Sequence, residues 1–269
     1  MSHTILHGLS LLGYVCAAIF YGANLSLRSR RHLLLARTSF VAALIMQTAA
    51  IGAFCITTHQ SPFASTYGTL LVTAWIIAIV YLPVEFQTHV PALGALAAPA
   101  EAVLLFMSLL KVRSGFAGSP EVRTQIINIH VFLVLISLAL FAIAACCAVF
   151  YIWQYGVLKH PDKRAMFRRL PPLETVDAIA YHLVAFALPL LTIGLILGFV
   201  RAAAGALHGN WLVDPHTLIS IVAWSVYSGY LLARLFAGWR GTRLNYLLIA
   251  GLGITLALFF IPSSTHRFT

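Results

Sequence analysis

The sequence predicts an all-α fold: a polytopic membrane helical bundle of about eight transmembrane helices, with both termini on the outer, periplasmic side. Three observations carry that expectation. Hydrophobic residues make up 61% of the 269-residue chain and charged residues only 9%. A soluble domain carries about 25% charged residues, so this chain could not cover a water-facing surface. Eight segments approach the ~20 predominantly apolar residues that span a bilayer, and the lysines and arginines gather in the short stretches between them. No internal repeat, low-complexity tract or long linker interrupts the series, so residues 1–269 read as a single integral-membrane domain.

The spans are expected at roughly 5–25, 38–57, 68–86, 90–110, 130–154, 178–200, 217–237 and 244–262. The first follows "MSHTILHGLS", which has no basic region ahead of its apolar run and reads as a retained span rather than a cleaved signal. The third and fourth are separated only by "EFQTHVPAL", the shortest turn in the chain. Glu85 closes the third and Glu101 lies deeper in the fourth. His130 opens the fifth at its outer end, in "NIHVFLVLISLALFAIAACC". The sixth carries His182 about one turn inside, and the seventh starts in "DPHTL", an N-cap aspartate followed by proline at the first helical position. Pro83, Pro99 and Pro189 fall inside spans, where packed neighbours satisfy the backbone groups that proline frees.

Orientation follows from the cations. The stretches after spans one, three, five and seven hold 12 of the 17 lysines and arginines, and the other ends hold Lys111, Arg113, Arg123, Arg201 and Arg267. The positive-inside rule makes the first set cytoplasmic. The net charge of +10 therefore reflects topology and anionic lipid; with no basic stripe interleaved with aromatics, nucleic acid is not an expected partner. Four cysteines, all in apolar segments and none in a CxxC pair, read as packing residues. The sequence has no HExxH, GxSxG, P-loop or CxxCH, so it offers little as an enzyme or as a c-type cytochrome itself.

With that orientation, seven of the 11 histidines (His3, His7, His59, His130, His208, His216 and His266) lie at or near the outer face. Imidazole is costly in lipid and is a common ligand for metals and haem iron. Interfacial histidines also sit in head groups, and transporters carry them at span ends, so clustering alone leaves both readings open. His130 and His266, far apart in sequence but at one membrane level, are a candidate axial pair for haem iron. Trp211 would line the ring edge, and Arg123, Arg201 or Arg267 would meet the propionates.

The second half resembles the cytochrome c assembly family, the CcsA and HemX-like proteins that handle haem at the outer face of bacterial inner membranes. The resemblance rests on "WLVDP" (211–215), "AWSVYSGYLLARLFAGWRG" (223–241) and "THRF" (265–268). Upstream, "ETVDAIAYHLVAFALPLLTIGLILG" (174–198) and "HQSPFASTYGTLLVTAW" (59–75) extend it to about residues 55–269. It implies that His130 and His266 ligate haem iron and that Trp211, Asp214 and Pro215 belong to the loop at the haem edge. His59, His182 and His216 are possible additional contacts. Departures are visible: Leu207 and Val213 stand where the family's WGxxWxWDP loop has tryptophans, and His216 and Thr217 follow the DP. The pattern is closer to the short HemX-like or YpjD-like branch than to a complete cytochrome c synthetase.

The resemblance therefore implies a multi-pass protein of the bacterial inner membrane that binds haem b non-covalently and handles or delivers it for cytochrome c assembly. Its partners would be haem, lipid and an apocytochrome or another assembly protein, and it would be an assembly factor rather than a catalyst. Two alternatives stand beside it. One is a HemX-like regulator or scaffold of tetrapyrrole synthesis that uses the basic stretch "KHPDKRAMFRRLPPLE" (159–174). The other is a small-solute permease built around Glu101.

Overall fold

A computed structural model describes residues 2–27, 29–59, 61–88, 90–112, 125–159, 171–203 and 213–257. The described residues form eight α-helices: α1 (Ser2–Leu27), α2 (Arg30–Thr58), α3 (Thr66–Thr88), α4 (Gly94–Val112), α5 (Gln125–Leu158), α6 (Leu173–Arg201), α7 (Pro215–Leu235) and α8 (Thr242–Ala257). Single 3-10 turns at Pro62–Ala64 and Pro91–Leu93 lead into α3 and α4. Seven of these helices are long and apolar enough to cross a membrane, and α8 is shorter in its described part. Helices two, five and six run beyond their apolar cores, α5 through 34 residues. Polar and basic end residues continue a helix as readily as apolar ones, because backbone bonding rather than hydropathy decides where it stops.

The chain divides into two compact units, one holding α1–α4 and the other α5–α8. In the first, α1 packs against α2 and α4, and α3 against α4 and α2. The buried stripe of α1 is His3, His7, Ser10, Tyr14, Ala17 and Tyr21, alternating steps of four and three that keep one face inward. Its opposite side exposes Ile5, Leu9, Leu12 and Ile19. The polarity is inverted relative to a soluble helix, as expected where the surroundings are hydrocarbon and the interior must satisfy its own polar groups.

Those groups are satisfied across helices. Ser10 donates to the Ala43 carbonyl at 2.9 Å, Tyr14 donates to Gln47 Oε1 at 2.8 Å, and Gln47 Nε2 donates to the Leu71 carbonyl at 3.1 Å. Each such bond contributes about 0.6 kcal/mol in a membrane. At the other end of the unit, Glu85 is fully buried and accepts from Tyr21, Tyr81 and Arg37, the last at 2.8 Å.

In the second unit α5 packs against α6 and α8, and α7 bridges α6 and α8. Phe141 of α5 stacks on Tyr227 of α7, ring centroids 3.5 Å apart. Arg234, in the last turn of α7, pairs with Asp177 of α6 at 2.7 Å and lies 4.6 Å above the Tyr181 ring. Cys147 is buried while its neighbour Cys146 is partly exposed, as adjacent residues on different faces of a helix must be.

Candidate functional site

The site is built at the end of the second unit opposite the Asp177–Arg234 pair. His130 lies in the second turn of α5, and α6 runs antiparallel beside it. The ring rests on the backbone of α6 between Gly194 and Gly198. His130 Nδ1 bonds the Gly194 carbonyl at 2.6 Å, and a methyl group added at Gly198 would stand 2.8 Å from His130 Cε1. A glycine pair four residues apart lets another element approach a membrane helix closely; here the approaching group is an imidazole.

That contact sets the chemistry of the ring. A carbonyl oxygen only accepts, so Nδ1 must carry the proton and Nε2 keeps its lone pair. Among the described residues Nε2 makes no hydrogen bond. A neutral imidazole with Nδ1–H held by a backbone carbonyl is the arrangement that orients a histidine for metal ligation through Nε2. His130 is partly exposed, so the ring is held without being sealed.

Register brings further groups to the same level. Trp224 Nε1 on α7 donates to Thr192 Oγ1 on α6 at 2.9 Å. From that tie, Arg201 on α6 and Pro215 on α7 are each nine residues away toward the His130 end, about 14 Å along an antiparallel pair. Arg201 closes α6 three residues beyond Gly198, and its Nε is buried with no partner among the described residues. Asp214 caps α7: its carboxylate accepts from the His216 amide at 3.1 Å, with Pro215 at the first helical position. Asp214 is 3% exposed, and His216 Nδ1 lies 4.0 Å from its Oδ2. One end of the unit therefore gathers an oriented imidazole, a guanidinium nitrogen wanting an acceptor, and a carboxylate beside a second imidazole. A planar, anionic, metal-bearing ligand suits that set: the imidazole for the metal and the guanidinium for carboxylates.

Of the other expected residues, His182 is placed away from His130. His182 is exposed on α6, and because α6 begins at Leu173 it stands nine residues inside rather than one turn. It is 12 residues from Gly194, about 18 Å along the helix, and does not join His130. His59 belongs to the first unit, where it ends α2 in the left-handed conformation at φ 53°. His7, counted among the outer histidines, is fully buried with both ring nitrogens engaged, by the Tyr67 hydroxyl and the Leu105 carbonyl. His266, Trp211, Arg123 and Arg267 lie outside the described residues. Among the described residues no three histidine, cysteine or acidic side chains converge as a metal cluster. The residues that sequence reasoning missed are Gly194 and Gly198; the signal was present as a Gly-xxx-Gly spacing in "TIGLILGFV".

The chain is 25% identical over 254 residues to a cytochrome c biogenesis protein CcsA of Guillardia theta, covering 86% of this chain and 84% of that protein. It is 23% identical over 263 residues to Protein HemX of Brevibacillus brevis, covering 94% and 96%. A CcsA protein of Thermosynechococcus vestitus (strain NIES-2133 / IAM M-273 / BP-1) is 24% identical over 257 residues, covering 81% and 80%. The family model described as cytochrome C assembly protein matches residues 63–267, most of the chain and all of the second unit's helices, and the chain belongs to that family.

Proposed function

We propose that this protein takes part in cytochrome c biogenesis as a haem-holding protein of the bacterial cytoplasmic membrane. Haem b would be held non-covalently at the outer end of the second unit. His130 and His266 would hold its iron, Arg201 would meet a propionate, and the loop carrying Trp211, Asp214 and Pro215 would line its edge. When bound, haem supplies an iron centre whose ligand and redox chemistry the protein tunes. The chain's own part is to orient His130 through Gly194, to offer the Arg201 guanidinium and to exclude water with the apolar walls of α5 and α6. Apocytochromes or other assembly proteins would receive the haem.

The observation that carries this reading is the contact of His130 Nδ1 with the Gly194 carbonyl at 2.6 Å, which orients the ring. The test is the visible spectrum of the detergent-purified protein, oxidised and reduced, beside the His130→Ala and His266→Ala variants. A low-spin bis-histidine haem spectrum in the wild type that is lost in both variants is the expected result. Unchanged spectra in the variants overturn the ligand assignment, and a wild type that takes up no added haem overturns the function. A second reading, a HemX-like regulator of tetrapyrrole synthesis, is favoured by the match along nearly the whole of Protein HemX. The same experiment separates the two, because that reading expects a colourless protein.

A further inference from the structure

The first unit contains a feature that haem handling does not use. Glu101 lies on α4, fully buried, with both carboxylate oxygens shielded and without a hydrogen-bond partner among the described residues. It follows Gly94, the first residue of α4, by seven residues and precedes Val112, the last, by 11. At 1.5 Å per residue that places it about 10 Å and about 16 Å from the helix ends. A lone carboxyl at that depth is expensive wherever it is not used.

Glu101 stands between two buried polar groups. One turn beyond it on α4, the Leu105 carbonyl accepts from His7 Nε2 at 3.1 Å, which leaves His7 Nδ1 to accept from the Tyr67 hydroxyl at 3.1 Å. Two turns the other way, Gly94 brings the start of α4 onto Tyr21 and Tyr81. A methyl group there would lie 2.5 Å from the Tyr81 hydroxyl and 2.6 Å from the Tyr21 ring. Both tyrosines donate to Glu85 Oε2, and Arg37, 29% exposed along its side chain, holds Glu85 Oε1. His7, Tyr14 and Tyr21 share the buried stripe of α1, so these groups follow one line through the unit.

The elements packed against α4 set what Glu101 meets. From α1 the titratable group at its level is Tyr14, within electrostatic reach and already donating to Gln47. From α3 come Tyr67 on one side, and Tyr81 with Glu85 on the other. No cation among the described residues is aimed at Glu101. Burial without a counter-ion makes gain and loss of a proton the chemistry open to this group.

We propose that the first unit carries a proton path across the membrane, with Glu101 as its midplane carrier. A proton from the His7 end adds to Nδ1 in place of the Tyr67 hydrogen bond, and the imidazole gives up its Nε2 proton inward. Glu101 takes that proton on a carboxylate oxygen and becomes a neutral acid. It then releases the proton toward the Tyr21 and Tyr81 hydroxyls and Glu85, which passes it to water beside Arg37. The path requires water to enter between these groups, and exchange of the imidazole proton from Nδ1 back to Nε2 restores the starting bonds of His7; one positive charge crosses per transit, and no electrons move.

The test uses the full-length protein in liposomes of defined lipid, enclosing a pH-sensitive dye. A pH step of about one unit is imposed, with potassium and valinomycin to clamp the potential. Expected is proton flux above that of protein-free vesicles, reduced at least tenfold in Glu101→Gln and in His7→Gln. A thermal midpoint of Glu101→Gln no lower than the wild type establishes that the fold is kept. Infrared difference spectra across the pH step should show a carboxyl band in the wild type that Glu101→Gln lacks. Flux no greater than that of empty vesicles, equal flux in wild type and Glu101→Gln, or no such band each overturns the proposal. Flux that follows an added sodium gradient at constant pH also overturns it, since that would make Glu101 a metal-cation site.

Discussion

Gly198→Ala puts the smallest possible wedge between α6 and His130. The new methyl group would lie 2.8 Å from Cε1, 3.1 Å from Nδ1 and 3.5 Å from Nε2 of the imidazole. The first distance is shorter than any ordinary carbon contact, so the ring or the helix must move. Two effects compete. Alanine favours the helix over glycine by up to about 1 kcal/mol. Overpacking costs about 1–3 kcal/mol, and pulling Nδ1 off the Gly194 carbonyl sacrifices a further ~1 kcal/mol. The sum is a net loss of about 1–3 kcal/mol, enough to lower the thermal midpoint by several degrees. Gly229→Ala on α7 is the matched control, because nothing lies within 4 Å of its added methyl group; it should be neutral or slightly stabilising. Haem titration followed by absorbance gives the functional readout. Disturbing the group that orients a metal-bound histidine weakens binding by about 10–100-fold, whereas Gly229→Ala should leave it unchanged. A Gly198→Ala protein as stable as Gly229→Ala, with unaltered haem affinity, refutes the account of His130 given above.

Three further outcomes follow from the second unit. Asp214→Ala removes the cap on α7 and should cost about 0.5–2 kcal/mol in chemical unfolding, with Asp214→Asn close to the wild type; faster hydrogen exchange at the His216 amide would locate the loss. Asp177→Ala leaves the Arg234 charge 12% exposed and unpaired, so about 3–5 kcal/mol should be lost, and a double-mutant cycle with Arg234→Met should recover part of it. Trp224→Phe removes the donor to Thr192 and should cost about 0.6–1.7 kcal/mol. The same loss with Thr192→Val, and no additional loss in the double variant, would confirm that this bond fixes the register of α6 and α7.

The spans were legible because hydropathy over ~20 residues is set by the bilayer, not by the fold. The same holds for the start of α7: "DPHTL" carries its cap chemistry within five residues, and Asp214 accepts from His216 as that pattern predicts. Helix lengths were less legible. Leu173–Asp177 continues α6 upstream of the span expected at 178–200, since a polar helical turn at a membrane edge leaves no hydropathy signal. The partners of the charged residues were not legible at all. Glu85 reads as an interfacial carboxylate, yet Arg37 from α2 and Tyr21 from α1 converge on it, and sequence separation carries no information about which helices pack together. The candidate site shares this limit. His130 could be selected by membrane level, but its support on Gly194 and Gly198 depends on the rotation of α6, which the low contrast among its apolar residues leaves undetermined.

Hydrogen-bond inventory turns a list of histidines into a ranking. Membrane level alone treats His7 and His130 as equals, one at the start of α1 and the other near the start of α5. His7 has both nitrogens committed, one to a hydroxyl and one to a carbonyl, so metal ligation would require breaking a bond inside a packed bundle. His130 has one nitrogen committed to a carbonyl, and that bond forces the lone pair onto the nitrogen left over. The same inventory separates the carboxylates: Glu85 has three donors, whereas neither oxygen of Glu101 has one among the described residues. Ser10, Tyr14, Gln47 and Glu85 find their partners across three helices, which sets Glu101 apart within the same unit. His130 Nε2 and the Glu101 carboxyl are thus the two groups on which the haem reading and the proton-path proposal place their tests.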